Sequence, residues 1–83
     1  MYVAYQIDSR LHRRFIKNVK SRRAVMRLTQ AEIAAKIRIS QLAYAQIECG
    51  RNTPTLEIVE RVAKALRATP LQLLDANELV TVS

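Results

Sequence analysis

A chain of 83 residues makes one small domain, with a core that is marginal but workable without staples. Hydrophobic residues reach 49% with only 5% aromatics, so Ala, Leu, Ile and Val supply the core; one Gly and two Pro exclude a low-complexity or disordered chain. The net charge of +7 lies in residues 1–27, with eight Lys/Arg against Asp8, while residues 28–83 balance six against six.

In chain order, residues 1–7 (MYVAYQI) are short and rich in Tyr, Val and Ile. They read as an extended arm, which needs a strand partner if it is not a frayed end. Asp8 or Ser9 is placed to cap a first helix. From Arg10 on, Leu11, Phe15 and Val19 are spaced by four, with Ile16 and then Val25 or Met26 as further apolar positions. Arg13, Lys17 and Lys20 share another stripe. So many cations near a helix N-terminus oppose the macrodipole, and a bound phosphate would offset that.

Thr29 with Glu32 three positions later is a capping box, and it opens a second helix over Gln30–Ile37. Ile33, Ala34 and Ile37 face inward on it. Arg38 and Ile39 make a turn, and Ser40 caps a third helix over residues 41–49. Ala43, Tyr44 and Ile47 face in; Gln41, Leu42, Ala45 and Gln46 face out. Gly50, the sole glycine, follows where a left-handed residue is expected. Thr53 and Pro54 read as N-cap and first residue of a fourth helix over 55–66, with Leu56, Val59, Val62, Ala63 and Leu66 apolar. Thr69 and Pro70 repeat that signal for a fifth helix over 70–76, burying Leu71 and Leu74. Residues 79–82 are strand-like, and would pair with residues 2–7 within one chain or across a dimer.

At this point the residues resemble the phage-repressor and Cro family of helix-turn-helix domains, the XRE or lambda-repressor-like type. The resemblance spans about residues 15–75. It rests on Arg23, Leu28-Thr29-Gln30, Glu32-Ile33-Ala34, Ile39-Ser40-Gln41, Ile47-Glu48, Gly50, Asn52-Thr53-Pro54-Thr55-Leu56 and Ala63-Lys64-Ala65-Leu66. It implies an all-α, five-helix DNA-binding domain over residues 9–76, with an N-terminal arm (1–8), a C-terminal tail (77–83) and short terminal strands as an option. The third helix would lie in the major groove of double-stranded DNA. The resemblance places Gln41, Leu42, Ala45 and Gln46 at base edges: glutamine amides can pair with adenine N6 and N7, and Leu42 and Ala45 can meet thymine methyls. It places Gln30 on a phosphate and against Gln41 as a brace. Ser40, Arg38, Arg51 and Asn52, together with Lys20 and Arg27, are the further phosphate candidates, Arg51 and Asn52 partly through backbone N–H groups. Arg23 and Glu48 match a structural ion pair between the first and third helices.

Three residues depart from the family pattern. Arg27 and Arg38 stand where the family has Gly, at positions that favour positive φ; either the cost is tolerated or a nearby phosphate offsets it. Tyr44 stands where the family has Val, Ile or Leu, and needs more room and a partner for its hydroxyl.

The same residues weigh against other functions. Cys49 is alone, which excludes an intrachain disulfide and fits a reducing cytoplasm; it reads as a small filler. His12 reads as a surface residue. With one His and one Cys there is no zinc set, and no nucleophile–base–orienter set or Gly-rich phosphate loop is present, so neither an enzyme nor a cofactor or metal is expected. No run approaches the roughly 20 apolar residues of a membrane span, and no signal-peptide pattern is present. The expected function is a transcriptional regulator acting as a homodimer, since one small module buries too little surface for tight specific binding. The alternative is an antitoxin or controller protein that uses the same domain and also holds a toxin-like protein partner.

Overall fold

The computed structural model describes residues 2–74, with side chains from Arg10 onward. Five helices follow one another: α1 (Tyr2–Met26), α2 (Gln30–Ile37), α3 (Gln41–Glu48), α4 (Leu56–Ala65) and α5 (Pro70–Leu74). The architecture is all-α and lambda-repressor-like, with no strand among the described residues. No helix there is long and apolar enough to cross a membrane. The expected reach of the fifth helix to residue 76, the strand at 79–82 and the tail 77–83 fall outside the described residues.

The N-terminal segment corrects the sequence reading. Residues 2–7 are helical, not extended, and α1 runs unbroken for 25 residues past the expected caps at Asp8 and Ser9. No Pro or Gly interrupts it, and extending an existing helix adds one hydrogen bond for each residue fixed. A lone strand there would leave its N–H and C=O groups unpaired, and strand propensity is too weak and context-dependent to outweigh that.

Helix starts are set by side chains. The Thr29 capping box forms fully: Glu32 N–H donates to Thr29 Oγ1 at 3.0 Å and Thr29 N–H donates to Glu32 Oε1 at 2.8 Å. Ser40 Oγ accepts from Ala43 N–H at 3.0 Å. Thr69 and Gln72 make a second reciprocal pair, at 2.9 and 3.1 Å, ahead of Pro70. For α4 the expected cap at Thr53 with Pro54 gives way to Thr55, whose Oγ1 accepts from Ile58 N–H at 3.1 Å.

Helix ends repeat one device. Arg27 (φ 58°), Arg38 (φ 64°) and Gly50 (φ 88°) are left-handed, as expected, and Arg67 (φ 56°) joins them. In each, the next residue donates its N–H back five residues: Leu28 to Arg23 O, Ile39 to Ala34 O, Arg51 to Gln46 O and Ala68 to Ala63 O, at 3.0, 3.1, 2.8 and 2.8 Å. This is the Schellman closure, which satisfies carbonyls the helix leaves open. Arg67 was legible: Arg27-Leu28-Thr29, Arg38-Ile39-Ser40 and Arg67-Ala68-Thr69 are one pattern, in which the middle residue packs on the core and the third caps the next helix.

The core gathers Phe15 and Val19 of α1, Ile33, Ala34 and Ile37 of α2, Tyr44 and Ile47 of α3, Val59, Val62 and Ala63 of α4, Leu66, and Leu73 of α5. Several predicted core positions differ. Met26 packs and Val25 is exposed. Leu56, the first residue of α4, is 79% exposed. In α5 Leu73 is fully buried, while Leu71 is 76% exposed and Leu74 half-buried. A helix of little more than one turn cannot define its own face; Asn18 of α1 does so, donating from Nδ2 to Leu73 O at 2.7 Å.

His12 is a second correction. It is buried, 8% exposed, where a surface residue was expected, and Leu11 is the exposed one. The stripe α1 buries is thus 12, 15 and 19, not 11, 15 and 19. The His12 ring donates from Nε2 to Ile47 O at 2.9 Å, a second donor to a carbonyl that also accepts from Gly50 N–H at 3.1 Å.

Candidate nucleic-acid interface

Packing of α3 decides which side of it stays open. Tyr44, Ile47 and Glu48 are buried, whereas Gln41 and Leu42 are exposed and Ala45 and Gln46 half-buried. Residues 41, 42, 45 and 46 form one continuous helical face. It carries two amides, a branched apolar side chain and a methyl.

Behind this face sits a carboxylate with four donors. Glu48 is 3% exposed. Arg23 donates to it twice, Nε to Oε2 at 2.8 Å and Nη2 to Oε1 at 3.1 Å. Gln30 Nε2 donates to Oε1 at 2.9 Å, and Tyr44 donates its hydroxyl to Oε2 at 2.5 Å. Arg23 Nη1 also donates to Leu28 O at 2.8 Å, closing the α1–α2 turn. Among the described residues no buried side-chain polar atom lacks a partner. One carboxylate thereby joins α1, the start of α2 and the end of α3, in a network whose members are all satisfied.

The electrostatics follow from that geometry. Burial alone would push the Glu48 carboxyl up, but the bonds from Arg23, Tyr44 and Gln30 outweigh it and hold the carboxyl below the usual carboxylate range. The bond to Glu48 raises Arg23. Burial first, and then the bond to Glu48, push the Tyr44 hydroxyl far above its usual range. Both Arg23 and Tyr44 thus stay protonated donors. The core supplies the room that the Tyr44 ring needs, and Glu48, one turn along α3, is the partner of its hydroxyl.

Gln30 spends its amide nitrogen on Glu48 and not on Gln41, so the predicted brace between those two glutamines is absent among the described contacts. Ser40 accepts from Ala43 N–H, which leaves its hydroxyl proton to donate. Arg38 is exposed in the turn between α2 and α3. Lys20 lies on α1 three residues before Arg23, Arg27 is the left-handed residue just past the end of α1, and both are exposed. Arg51 and Asn52 are exposed, but their backbone N–H groups already donate to Gln46 O, at 2.8 and 3.2 Å. Only their side chains remain for a further contact. Cys49 is exposed, and its thiol donates to Gln46 O at 3.4 Å.

A family model described as helix-turn-helix matches residues 19–74, which is most of the chain and all of α2 to α5. The chain belongs to the XRE-type helix-turn-helix family. The helix-turn-helix domain is also similar to the crystal structure of the clp gene regulator ClgR from Corynebacterium glutamicum, at 28% identity and a TM-score of 0.72, over 77% of this chain and 68% of that one. No curated protein matches the chain significantly. In this helix-turn-helix domain α2 and α3 are the paired helices, and double-stranded DNA is the partner class.

Sequence reasoning missed three contacts around that face: Tyr44–Glu48, His12–Ile47 and the bond from Asn52 Nδ2 to Gln46 Oε1 at 2.7 Å. The first had a signal, since residues four apart on a helix are neighbours. The other two join separate segments and had none.

Proposed function

We propose that this helix-turn-helix domain is a sequence-specific regulator of transcription that reads double-stranded DNA with α3 in the major groove. The open face of α3 carries this reading: Gln41, Leu42, Ala45 and Gln46 side by side, on a helix locked from behind by the Glu48 network. Gln41 has no partner among the described residues and keeps both amide groups for a base edge, adenine N6 and N7 being the matching pair. Leu42 and Ala45 meet thymine methyls. Gln30, Ser40, Arg38, Arg51, Lys20 and Arg27 form the phosphate-contacting set.

The regulator acts as a homodimer on two half-sites about 34 Å apart, one turn of the duplex. A single module buries on the order of 600–1,000 Å² on DNA, and a second copy multiplies the contacts. An apolar groove lined by Leu11, Phe15, Pro54, Leu56 and Leu74 supports assembly, because apolar surface of that kind marks an interaction face.

The test is selection of bound duplexes from a random library, with wild type and Gln41→Ala side by side. The variant is expected to keep its melting temperature and lose discrimination at one base position in each half-site. Identical selected sites for the two proteins would show that α3 is not the reader.

A further inference from the structure

Gln46 and Asn52 are tied twice. The closure at Gly50 folds the chain back so that Arg51 and Asn52 donate their backbone N–H groups to Gln46 O. Asn52 then donates from its side-chain Nδ2 to Gln46 Oε1 at 2.7 Å. An amide has one acceptor end and one donor end. Turning the Gln46 amide over alone would set its NH2 against the NH2 of Asn52, so Gln46 turns only if Asn52 turns with it; in the structure the pair is set with Gln46 Oε1 toward Asn52. No described residue accepts from Gln46 Nε2, and that donor is left for whatever α3 meets.

The geometry points to Asn52 as the positioning residue that sets the hydrogen-bond polarity of Gln46. Resting on the reading of α3 given above, Gln46 meets the major groove as a donor. It selects an edge that presents an acceptor, which means purine N7, guanine O6 or thymine O4, and it rejects the amino group of cytosine N4. The two glutamines of the face therefore do different work. Gln41 is unengaged and can both donate and accept, whereas Gln46 has its acceptor engaged by Asn52. This assigns the Asn52 side chain to specificity and not to the phosphate backbone, whose contacts carry no sequence information.

The experiment is base selection from a random library by wild type, Gln46→Ala, Asn52→Ala and Asn52→Asp, with melting temperatures measured alongside. Asn52 is exposed and outside the core, so all four proteins are expected to fold alike. Asn52→Ala should relax preference at the same base position as Gln46→Ala, by roughly tenfold, and leave the other positions unchanged. An Asp at 52 only accepts, so it draws Gln46 Nε2 and turns Oε1 outward. The selected base at that one position should then change to an edge with a donor, cytosine N4 or adenine N6. The added negative charge weakens all sites alike and does not alter the preference. Unchanged site profiles for both Asn52 variants, with affinity lost evenly across sequences, would overturn the inference and make Asn52 a phosphate contact. Wild type enriching no sequence at all would overturn the reading of α3 itself, a result distinct from that one.

Discussion

Tyr44 donates its hydroxyl to Glu48 Oε2 at 2.5 Å, one turn further along the same buried side of α3. The residue that departs most from the family pattern is thus wired into its structural ion pair. A Val or Ile at 44 would fill the core and leave Glu48 to Arg23 and Gln30. With Tyr44 the carboxylate that ties α3 to α1 and α2 also has a donor from its own helix, which fixes its position for Arg23 and Gln30.

Tyr44→Phe keeps the ring in the core and removes one donor from a buried carboxylate. Stability is expected to fall by about 1.5–3 kcal/mol, the usual range for a hydrogen bond to a charged group. That corresponds to a melting temperature lower by roughly 10 °C in a domain of this size. An unchanged thermal transition would show that Arg23 and Gln30 satisfy Glu48 without Tyr44.

Acid should dissolve the same network. The folded-state carboxyl of Glu48 lies below its ordinary value of 4.5, so the unfolded chain takes up the proton first as pH falls. Its contribution to stability is whole above about 4.5 and is lost as pH drops below that toward the folded-state value. Melting curves between about pH 7 and pH 3 on wild type and Glu48→Gln separate this group from the other carboxylates. Wild type is expected to lose more stability across that range than the variant, which is already weaker at neutral pH. Parallel acid slopes would exclude Glu48 as the titrating group.

The left-handed arginines offer a comparison between strain and charge. A residue with a Cβ pays on the order of 1 kcal/mol at such a position, partly offset in a glycine variant by the greater freedom of the unfolded chain. Arg67→Gly and Arg38→Gly are each expected to raise stability by up to about 1 kcal/mol. If Arg38 also meets a phosphate, its variant alone should bind DNA more weakly, with a salt slope shallower by about 0.9. Equal slopes for both variants would mean that Arg38 is tolerated strain only.

What the sequence determined by itself was local. Capping at Thr29, Ser40 and Thr69 and the left-handed sites at Arg27, Arg38 and Gly50 all depend on residues within about one helical turn of each other. Such signals are complete in a short stretch of chain, and so α2 could be bounded from residue types alone. The tertiary structure decided everything that needed a partner from elsewhere. Whether α1 buries Leu11 or His12 depends on a carbonyl of α3, and whether α5 buries Leu71 or Leu73 depends on Asn18. Residues 2–7 are helical because continuing α1 supplies their backbone bonds. The tie between Asn52 and Gln46 exists only once Gly50 turns the chain back on α3. Periodicity shows that a helix has an apolar side; which side chain fills the core is settled by the surface it packs against, and that surface comes from distant sequence.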